Sequence, residues 1–167
     1  DRVRRIRYDL DAAEATLTVA DHARMPTWIV ASRIVLSEVG PGRLLHSSEG
    51  MTEAIAVLQT LRNRMDPTVW NPEGVRGVRP WPGCGEGATF HSCANPDQYR
   101  GLTQRLALSP RSTLRDTEVR EHILDATVAA WWLVFHARIP DVTGGATSFL
   151  HRCGGAAIID LGVGLAV

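Results

Sequence analysis

The sequence contains no lysine: its 18 basic residues are all arginine, and 18 acidic residues balance them to a formal net charge of zero. The arginines cluster only in RVRRIR, residues 2–7, which we expect to be the solvated face of a short strand. Proteins that hold nucleic acid by its phosphates carry a basic patch or stripe. The charge balance therefore predicts that nucleic acid is not a partner.

Long apolar runs are also missing. The longest, TVAAWWLVF and AAIIDLGVGLAV, fall short of the roughly 18 residues that a membrane-spanning helix needs. We therefore expect no membrane span. Because the chain begins at Asp1 with neither methionine nor a signal-like segment, we expect a processed product or a part of a longer chain.

Cysteine is scarce, with three in the chain. Cys84 and Cys93 bracket the glycine-rich stretch CGEGATFHSC, where a disulfide would staple a segment with little core of its own. Two unpaired thiols are the equally open alternative, since sequence fixes no geometry. Zinc held by these cysteines and His91 is a weaker option because the spacing matches no compact zinc module. We expect no metal and no cofactor.

Length and composition predict one folded domain. A chain of 167 residues with 44% hydrophobic and 22% charged residues is near the globular average. The segment TWIVASRIVLSEVG predicts a helix that begins near Thr27 and ends at Gly40 and Pro41. The apolar residues of MTEAIAVLQTLRNRM, residues 51–65, recur at three and four and predict a second helix. The connection between them, PGRLLHSSEG, is predicted to be a polar turn.

The longest predicted helix is DTEVREHILDATVAAWWLVFHARIP, with Asp116 as its cap and Pro140 as its stop. Its residues 126–135 are apolar nearly all round, which predicts the central buried helix of the domain. Residues 66–114, rich in proline, glycine and tryptophan, predict long ordered loops of a functional or lid-like kind. The predicted fold class is mainly α, with α+β as the open alternative.

Glu38 continues the apolar face of the first helix. At 100° per residue it lies about 20° from Ala31 and about 40° from Ile34, so its carboxyl group is directed toward the core or a cleft. A carboxyl group in such a place can hold its proton and act as a general acid. An ordinary glutamate at a frayed helix end, exposed or paired with Arg43 or Arg64, is the alternative reading.

Several segments, taken in order, carry a resemblance. RIVLSEVG, then EGMTEAIAVLQTLRNRM, NPDQYRGL, a long helix and DVTGGATSFLH resemble the SleB/CwlJ-type cell-wall hydrolases, the spore-cortex-lytic enzyme family. That family has an iygEArgE helix end, a G…aVa…vlNR helix, a QF motif and a DpTgGAthFy loop. The match spans about residues 28–152, and DVTGGATSFLH and LRNR are its most specific parts.

The resemblance implies a lysozyme-like, lytic-transglycosylase-like single domain that cuts peptidoglycan between N-acetylmuramic acid and N-acetylglucosamine. The catalytic glutamate of the family falls on Glu38. A lytic transglycosylase uses one glutamate as acid and then as base, whereas a hydrolytic muramidase needs a second group as nucleophile or as base. For the second carboxylate the sequence offers Glu49, Glu53, Asp66 and Asp141.

The resemblance also implies substrate-binding residues in three of these segments. They are Gln98 and Tyr99, the TGGAT loop residues Thr143, Gly144, Gly145 and Thr147, and in addition Thr60 and His151. Tyr99 could equally belong to the core. Asn63 and Arg64, which close the second helix, are expected to bond the backbone of a neighbouring loop. Gly42 stands where the family has its second acid, and Glu49 is the candidate replacement.

The predicted organisation is an N-terminal extension or linker at 1–26, a cell-wall hydrolase domain at 27–152 and a C-terminal tail at 153–167. The expected partners are peptidoglycan and other components of a phage tail or envelope assembly. The expected location is the cell envelope outside the cytoplasm, or a virion or tail-like particle. The alternative from another class is a non-catalytic structural or glycan-binding module that keeps the lysozyme-like fold; a zinc amidase or peptidase is a further rival.

Overall fold

The computed structural model of the protein describes residues 24–78, 84, 89–103, 114–151 and 157–160, the strand residues 149–151 and 157–160 by their backbone alone. The described chain is mainly helical, as predicted. Its elements are α1 (Thr27–Glu38), α2 (Pro41–His46), α3 (Ser48–Met65), α4 (Pro67–Trp70), α5 (Phe90–Cys93), a 3₁₀ turn (Arg100–Thr103), α6 (Thr117–Trp131), a π-helical turn (Trp132–His136), and strands β1 (Ser148–His151) and β2 (Ala157–Asp160).

Helix α1 is the central helix of the domain. It begins directly after Pro26 and ends where Gly40 takes a φ of 89° and Pro41 starts the next helix, so both predicted ends are confirmed. Every residue from 29 to 36 is buried. The prediction that residues 126–135 form the central helix is therefore wrong, because several of them keep partial exposure to solvent.

The predicted polar connection after α1 is also wrong, since most of it forms helix α2. Pro41 at the first helical position suits a helix start, because its missing N–H is one that no helix would use. Helix α3 then begins at Ser48, capped by the Ser47 side chain, which accepts a hydrogen bond from Glu49 N. A side chain at Gly50 would lie 2.2 Å from the Arg43 carbonyl oxygen, so this contact of α2 with α3 requires glycine.

Helix α6 is capped as predicted by Asp116, whose carboxylate accepts a hydrogen bond from Val119 N. The Thr127 hydroxyl, buried midway along α6, donates to the Ser32 hydroxyl of α1 at 2.9 Å. The last turn widens into the π-helical turn, and the chain leaves it through Arg138 with a φ of 50°. Pro140 follows, at the predicted stop.

The segment between α3 and α6 contains short helices where it is described. Cys84 and Cys93 form a disulfide, which decides between the alternatives that the sequence left open. Asn95 accepts hydrogen bonds at its side chain from the N–H groups of residues 97 and 98, and this turn leads Tyr99 into the core. The Phe90 ring packs edge-on against Phe135, 5.3 Å between centroids.

Strands β1 and β2 pair antiparallel, with Ser148 opposite Asp160 and His151 opposite Ala157. β1 follows the TGGAT loop directly. β2 lies in the stretch expected to be a tail, so this part of it has regular structure. The predicted N-terminal strand at residues 2–7 falls outside the described residues.

Candidate functional site

Glu38 is the last residue of α1, and it is half-buried. The 3₁₀ turn packs against the same end of the helix, because a side chain at Gly101 would lie 2.3 Å from Ser37 Cβ. The Ser37 hydroxyl itself donates back to the carbonyl oxygens of Arg33 and Ile34 at 3.0 and 3.1 Å. The end of α1 is thus held at the residue just before Glu38.

Tyr99 lies in the core near Glu38, with 1% of its surface exposed. Burial raises the pKa of the Tyr99 hydroxyl to about 12; the positive charge of Arg64 acts against this rise, and the negative charge of Glu38 adds to it. Thr60 is fully buried and donates its own proton to Val57 O. Arg64 and Glu38 therefore act on one neutral phenol.

Arg64 joins the segments of the site. Its Nε donates to the Thr147 carbonyl oxygen, its Nη1 donates to Gln98 Oε1 at 3.4 Å, and its guanidinium carbon lies 5.4 Å from the centroid of the Tyr99 ring. Its carbonyl oxygen accepts a hydrogen bond from Trp70 Nε1 at 3.0 Å and contacts Cys84 Sγ at 3.9 Å. One buried arginine thus links α3 to the loops on either side.

The loop from 140 to 147 is held by polar side chains of α3. Gln59 Nε2 donates to Pro140 O, and Gln59 Oε1 accepts from Val142 N, both at 3.0 Å. Asn63 Nδ2 donates to the Ala146 carbonyl oxygen at 2.9 Å and contacts Asp141 Oδ2 at the same distance. The prediction that Asn63 and Arg64 bond the backbone of a neighbouring loop is confirmed.

Asp141 organises the same loop from inside. Its carboxylate accepts from Thr143 N at 2.8 Å, from the Thr143 hydroxyl at 2.6 Å and from Gly145 N at 2.9 Å. Partial burial works to raise the pKa of Asp141, but the hydrogen bonds from Thr143, Asn63 and Gly145 outweigh it, so the pKa lies below its ordinary value. Asp141 is ionised at neutral pH and acts as the anchor of the TGGAT loop.

The predicted substrate-binding residues differ in how accessible they are. Gln98 and Gly144 are exposed, Gly145 and Thr147 are half-buried, and Thr60, Tyr99 and Thr143 are buried. The Thr143 hydroxyl, which also accepts from Ala146 N, is engaged within the loop. His151 lies at the end of β1. Tyr99 thus takes the core position that was the alternative to lining the surface, whereas Gln98, beside it, faces solvent.

The four carboxylates considered as a second acid each have partners elsewhere. Arg43 donates to Glu53 and Glu49, and the three side chains form a cluster between α2 and α3. Asp66 caps α4 through Thr68, and Asp141 is bound within its loop. Gly42, at the family position of the second acid, is an exposed residue of α2.

Two residues that hold parts of the candidate site in place, Gln59 and Gly101, were not predicted from the sequence. Gln59 and Asn63 are buried amide side chains one turn apart on α3, the helix that was predicted from the spacing of its apolar residues. Buried polar side chains need partners, and that requirement could have predicted a loop docked on this face. Gly101 carries no comparable signal, because its close approach to Ser37 depends on tertiary packing.

Among the described residues, no group of three or more His, Cys, Asp and Glu side chains is placed to hold a metal ion. Within the same residues, none of the helices has the length and apolar character needed to cross a membrane.

Comparisons of the chain with protein families, with curated proteins and with solved structures each find no match.

Proposed function

We propose that this domain cleaves the glycan strands of peptidoglycan between N-acetylmuramic acid and N-acetylglucosamine, with Glu38 as its catalytic residue. The strongest support is that segments far apart in the sequence lie together in the fold. The segments that carry the sequence resemblance lie together: Arg64 of LRNR donates to the Gln98 side chain of DQY and to the Thr147 carbonyl oxygen of DVTGGAT, and the negative charge of Glu38 adds to the rise in the pKa of Tyr99. A shared active site would bring these segments together in this way.

The chemistry requires an acid and then a base at one position. Glu38 donates its proton to the glycosidic oxygen while the bond from that oxygen to C1 of the muramic sugar breaks, leaving an oxocarbenium-like centre at C1. The C6 hydroxyl of the same sugar attacks C1, and Glu38 takes the hydroxyl proton. The products are a 1,6-anhydro-muramyl end and a strand that ends in N-acetylglucosamine, and Glu38 is again protonated.

This one-carboxylate route is favoured over hydrolysis because the other acids that were considered already have structural partners. A retaining hydrolase needs a nucleophile about 5 Å from the acid, and an inverting one needs a base about 6.5–9.5 Å away. Glu49, Glu53, Asp66 and Asp141 are each bound by structural partners. The transglycosylase route needs none of them.

The residues proposed for the site are of two kinds: buried residues, and exposed residues that would contact the sugar. Thr60, Arg64 and Tyr99 are buried, and Arg64 fixes the positions of the loops on either side of α3. A catalytic group must be held closely in place. Gln98, Gly144 and Thr147 keep exposure and would contact the sugar. Gly144 and Gly145 have φ values of 66° and 85°, a left-handed region in which glycine is unstrained.

The experiment compares release of soluble muropeptides from purified peptidoglycan by the wild type, Glu38→Gln and Glu73→Gln. Glu38→Gln keeps the size of the side chain but has no proton to give. Glu73 is exposed in the loop after α4, so Glu73→Gln is the matched control. We expect release by the wild type and the control, and a loss of at least 100-fold in Glu38→Gln, as for removal of a general acid.

The same assay separates the catalytic proposal from a glycan-binding module. If the wild type binds sedimented peptidoglycan but releases nothing more than Glu38→Gln does, the protein is a binding module and the catalytic proposal is wrong. The departure at Gly42 favours this second candidate, because the family acid is absent there.

A further inference from the structure

A cavity lies on the side of α3 opposite to Thr60 and Arg64. Its volume is about 230 Å³, and its lining residues are Arg62, Met65, Asp66, Pro67, Phe135 and Arg138. At 100° per residue, the direction of Arg62 and Met65 is roughly 150° around the helix from that of Thr60 and Arg64. The cavity is therefore separate from the candidate catalytic site.

The charges in this cavity do not neutralise each other by contact. Within the part of the chain that the structure describes, Arg138 and Asp66 form no ion pair with each other, and the Arg138 guanidinium has no hydrogen-bond acceptor. Asp66 uses Oδ1 to accept from Thr68 N and Oγ1 at 3.0 and 2.7 Å, and its Oδ2 has no such partner. One cationic and one anionic group are thus available in the same space.

The other residues described at the cavity are either held by hydrogen bonds or apolar. Arg62 Nη1 donates to the carbonyl oxygens of Val134 and Ile139 at 2.9 and 3.4 Å, so Arg62 holds the π-helical turn in place. Met65 and Phe135 are half-buried and supply an apolar surface. A ligand that fits must carry both charges and an apolar part.

The backbone around the cavity has two uncommon features. Arg138 is the only non-glycine with a positive φ in the described ranges, at 50°, and non-glycine residues take this conformation rarely. The wall that carries Phe135 is a π-helical turn, a form found frequently at functional sites. Positive-φ non-glycine residues and π-helical turns are both enriched at functional sites, and here both of them shape one cavity.

We propose that this cavity binds a free α-amino acid with an apolar side chain. The carboxylate pairs with the Arg138 guanidinium, whose planar fork matches it; the ammonium group pairs with Asp66 Oδ2; and the side chain lies against Met65 and Phe135. The volume fits a ligand of this size, because it is below the roughly 300–1,000 Å³ of pockets that hold drug-sized molecules. This inference does not depend on the proposed cleavage of peptidoglycan.

The test is a titration of the 167-residue chain with L-leucine and with D-leucine, followed by amide chemical shifts in two-dimensional NMR. We expect saturable shifts for at least one enantiomer, centred on residues 62–68 and 132–139. Leucinamide, which lacks the carboxylate, and N-acetylleucine, which lacks the ammonium group, should each bind at least ten-fold more weakly.

Two variants assign the charges. Arg138→Gln and Asp66→Asn should each weaken binding at least ten-fold; the asparagine keeps an oxygen that can cap α4. Arg76→Gln, at an exposed arginine of the loop after α4, should bind as the wild type does. Absence of saturable shifts with both enantiomers, equal binding of N-acetylleucine or leucinamide, or unchanged binding in Arg138→Gln or Asp66→Asn would overturn the proposal.

Discussion

The guanidinium carbon of Arg64 lies 5.4 Å from the centroid of the buried Tyr99 ring. The same guanidinium group bonds the Thr147 carbonyl oxygen and the Gln98 side chain. Three segments far apart in sequence therefore depend on one side chain, and the geometry uses the fork of arginine rather than its charge alone.

Arg64→Lys should destabilise the fold by about 2 kcal/mol, because lysine cannot donate to Thr147 and Gln98 from a planar fork while its charge stays buried. Urea unfolding measures the change, and release of muropeptides should fall with it. Arg76→Lys, at an exposed arginine, is the control and should change neither quantity. If Arg64→Lys unfolds at the wild-type urea concentration, Arg64 is not the link between these segments.

Gly101→Ala should destabilise the fold by about 1–3 kcal/mol, because the added methyl group meets Ser37 Cβ at 2.3 Å and one of the two segments must move. Ser37 precedes Glu38, so activity should fall as well. The double variant Gly101→Ala, Ser37→Gly should recover part of the loss. Strict additivity of the two stability changes would contradict a direct contact.

Gly42→Ala is the matched control for that experiment. Gly42 lies in α2, and nothing is within 4 Å of the position where a side chain would begin. Alanine is the better helix former, so the fold should gain roughly 0.5–1 kcal/mol.

Asp141 predicts a specific dependence of stability on pH. Its pKa is lower in the folded protein than in the unfolded chain, so its contribution is complete above the unfolded value of about 3.9 and is lost as the pH falls through the folded value. Asp141→Asn should remove this part of the acid sensitivity and cost about 1–3 kcal/mol at neutral pH, through weaker acceptance from Thr143 and Gly145.

The measurement is the free energy of unfolding at several pH values between 6 and about 2, for the wild type and Asp141→Asn. The two curves should approach each other as the pH falls below about 4. Parallel curves over the whole range would show that the Asp141 carboxylate does not anchor the loop.

The Cys84–Cys93 disulfide predicts sensitivity to reduction. Both cysteines are fully buried, and Cys84 Sγ lies 3.9 Å from the Arg64 carbonyl oxygen. Reduction should cost about 2–3 kcal/mol, the usual range for a short loop, and lower the Tm. The variant Cys84→Ser, Cys93→Ser should have the lower Tm with and without dithiothreitol. Equal Tm values for the wild type in both conditions, after reduction is verified by mass, would contradict this prediction.

The sequence predicted elements whose signals are local. Gly40 and Pro41 end α1 as expected, and Asp116 caps α6. Helix α2 was missed because PGRLLH is too short to show a period. The central helix was misassigned because apolar residues around a helix do not distinguish a core position from a half-buried one: α6 lies beside α1, and Trp131 keeps partial exposure.

The sequence predicted which residues belong to the candidate site better than it predicted what each of them contacts. The angular position of Glu38 matters only if α1 has one apolar stripe, but α1 is buried on all sides from 29 to 36. The location of Glu38 at the end of α1 therefore says more about its surroundings than the helix face on which it lies. Thr143 and Tyr99 were expected to reach substrate and are buried. Their surroundings depend on Asp141 and Arg64, partners far away in sequence.

The most direct test of a single catalytic glutamate is mass spectrometry of the muropeptides that the wild type and Glu38→Gln release from purified peptidoglycan. A lytic transglycosylase leaves a 1,6-anhydro-muramyl end, which is lighter by one water molecule than the reducing end left by hydrolysis. We predict anhydro ends from the wild type and none from Glu38→Gln. Reducing ends from the wild type, or anhydro ends from both proteins, would contradict the account.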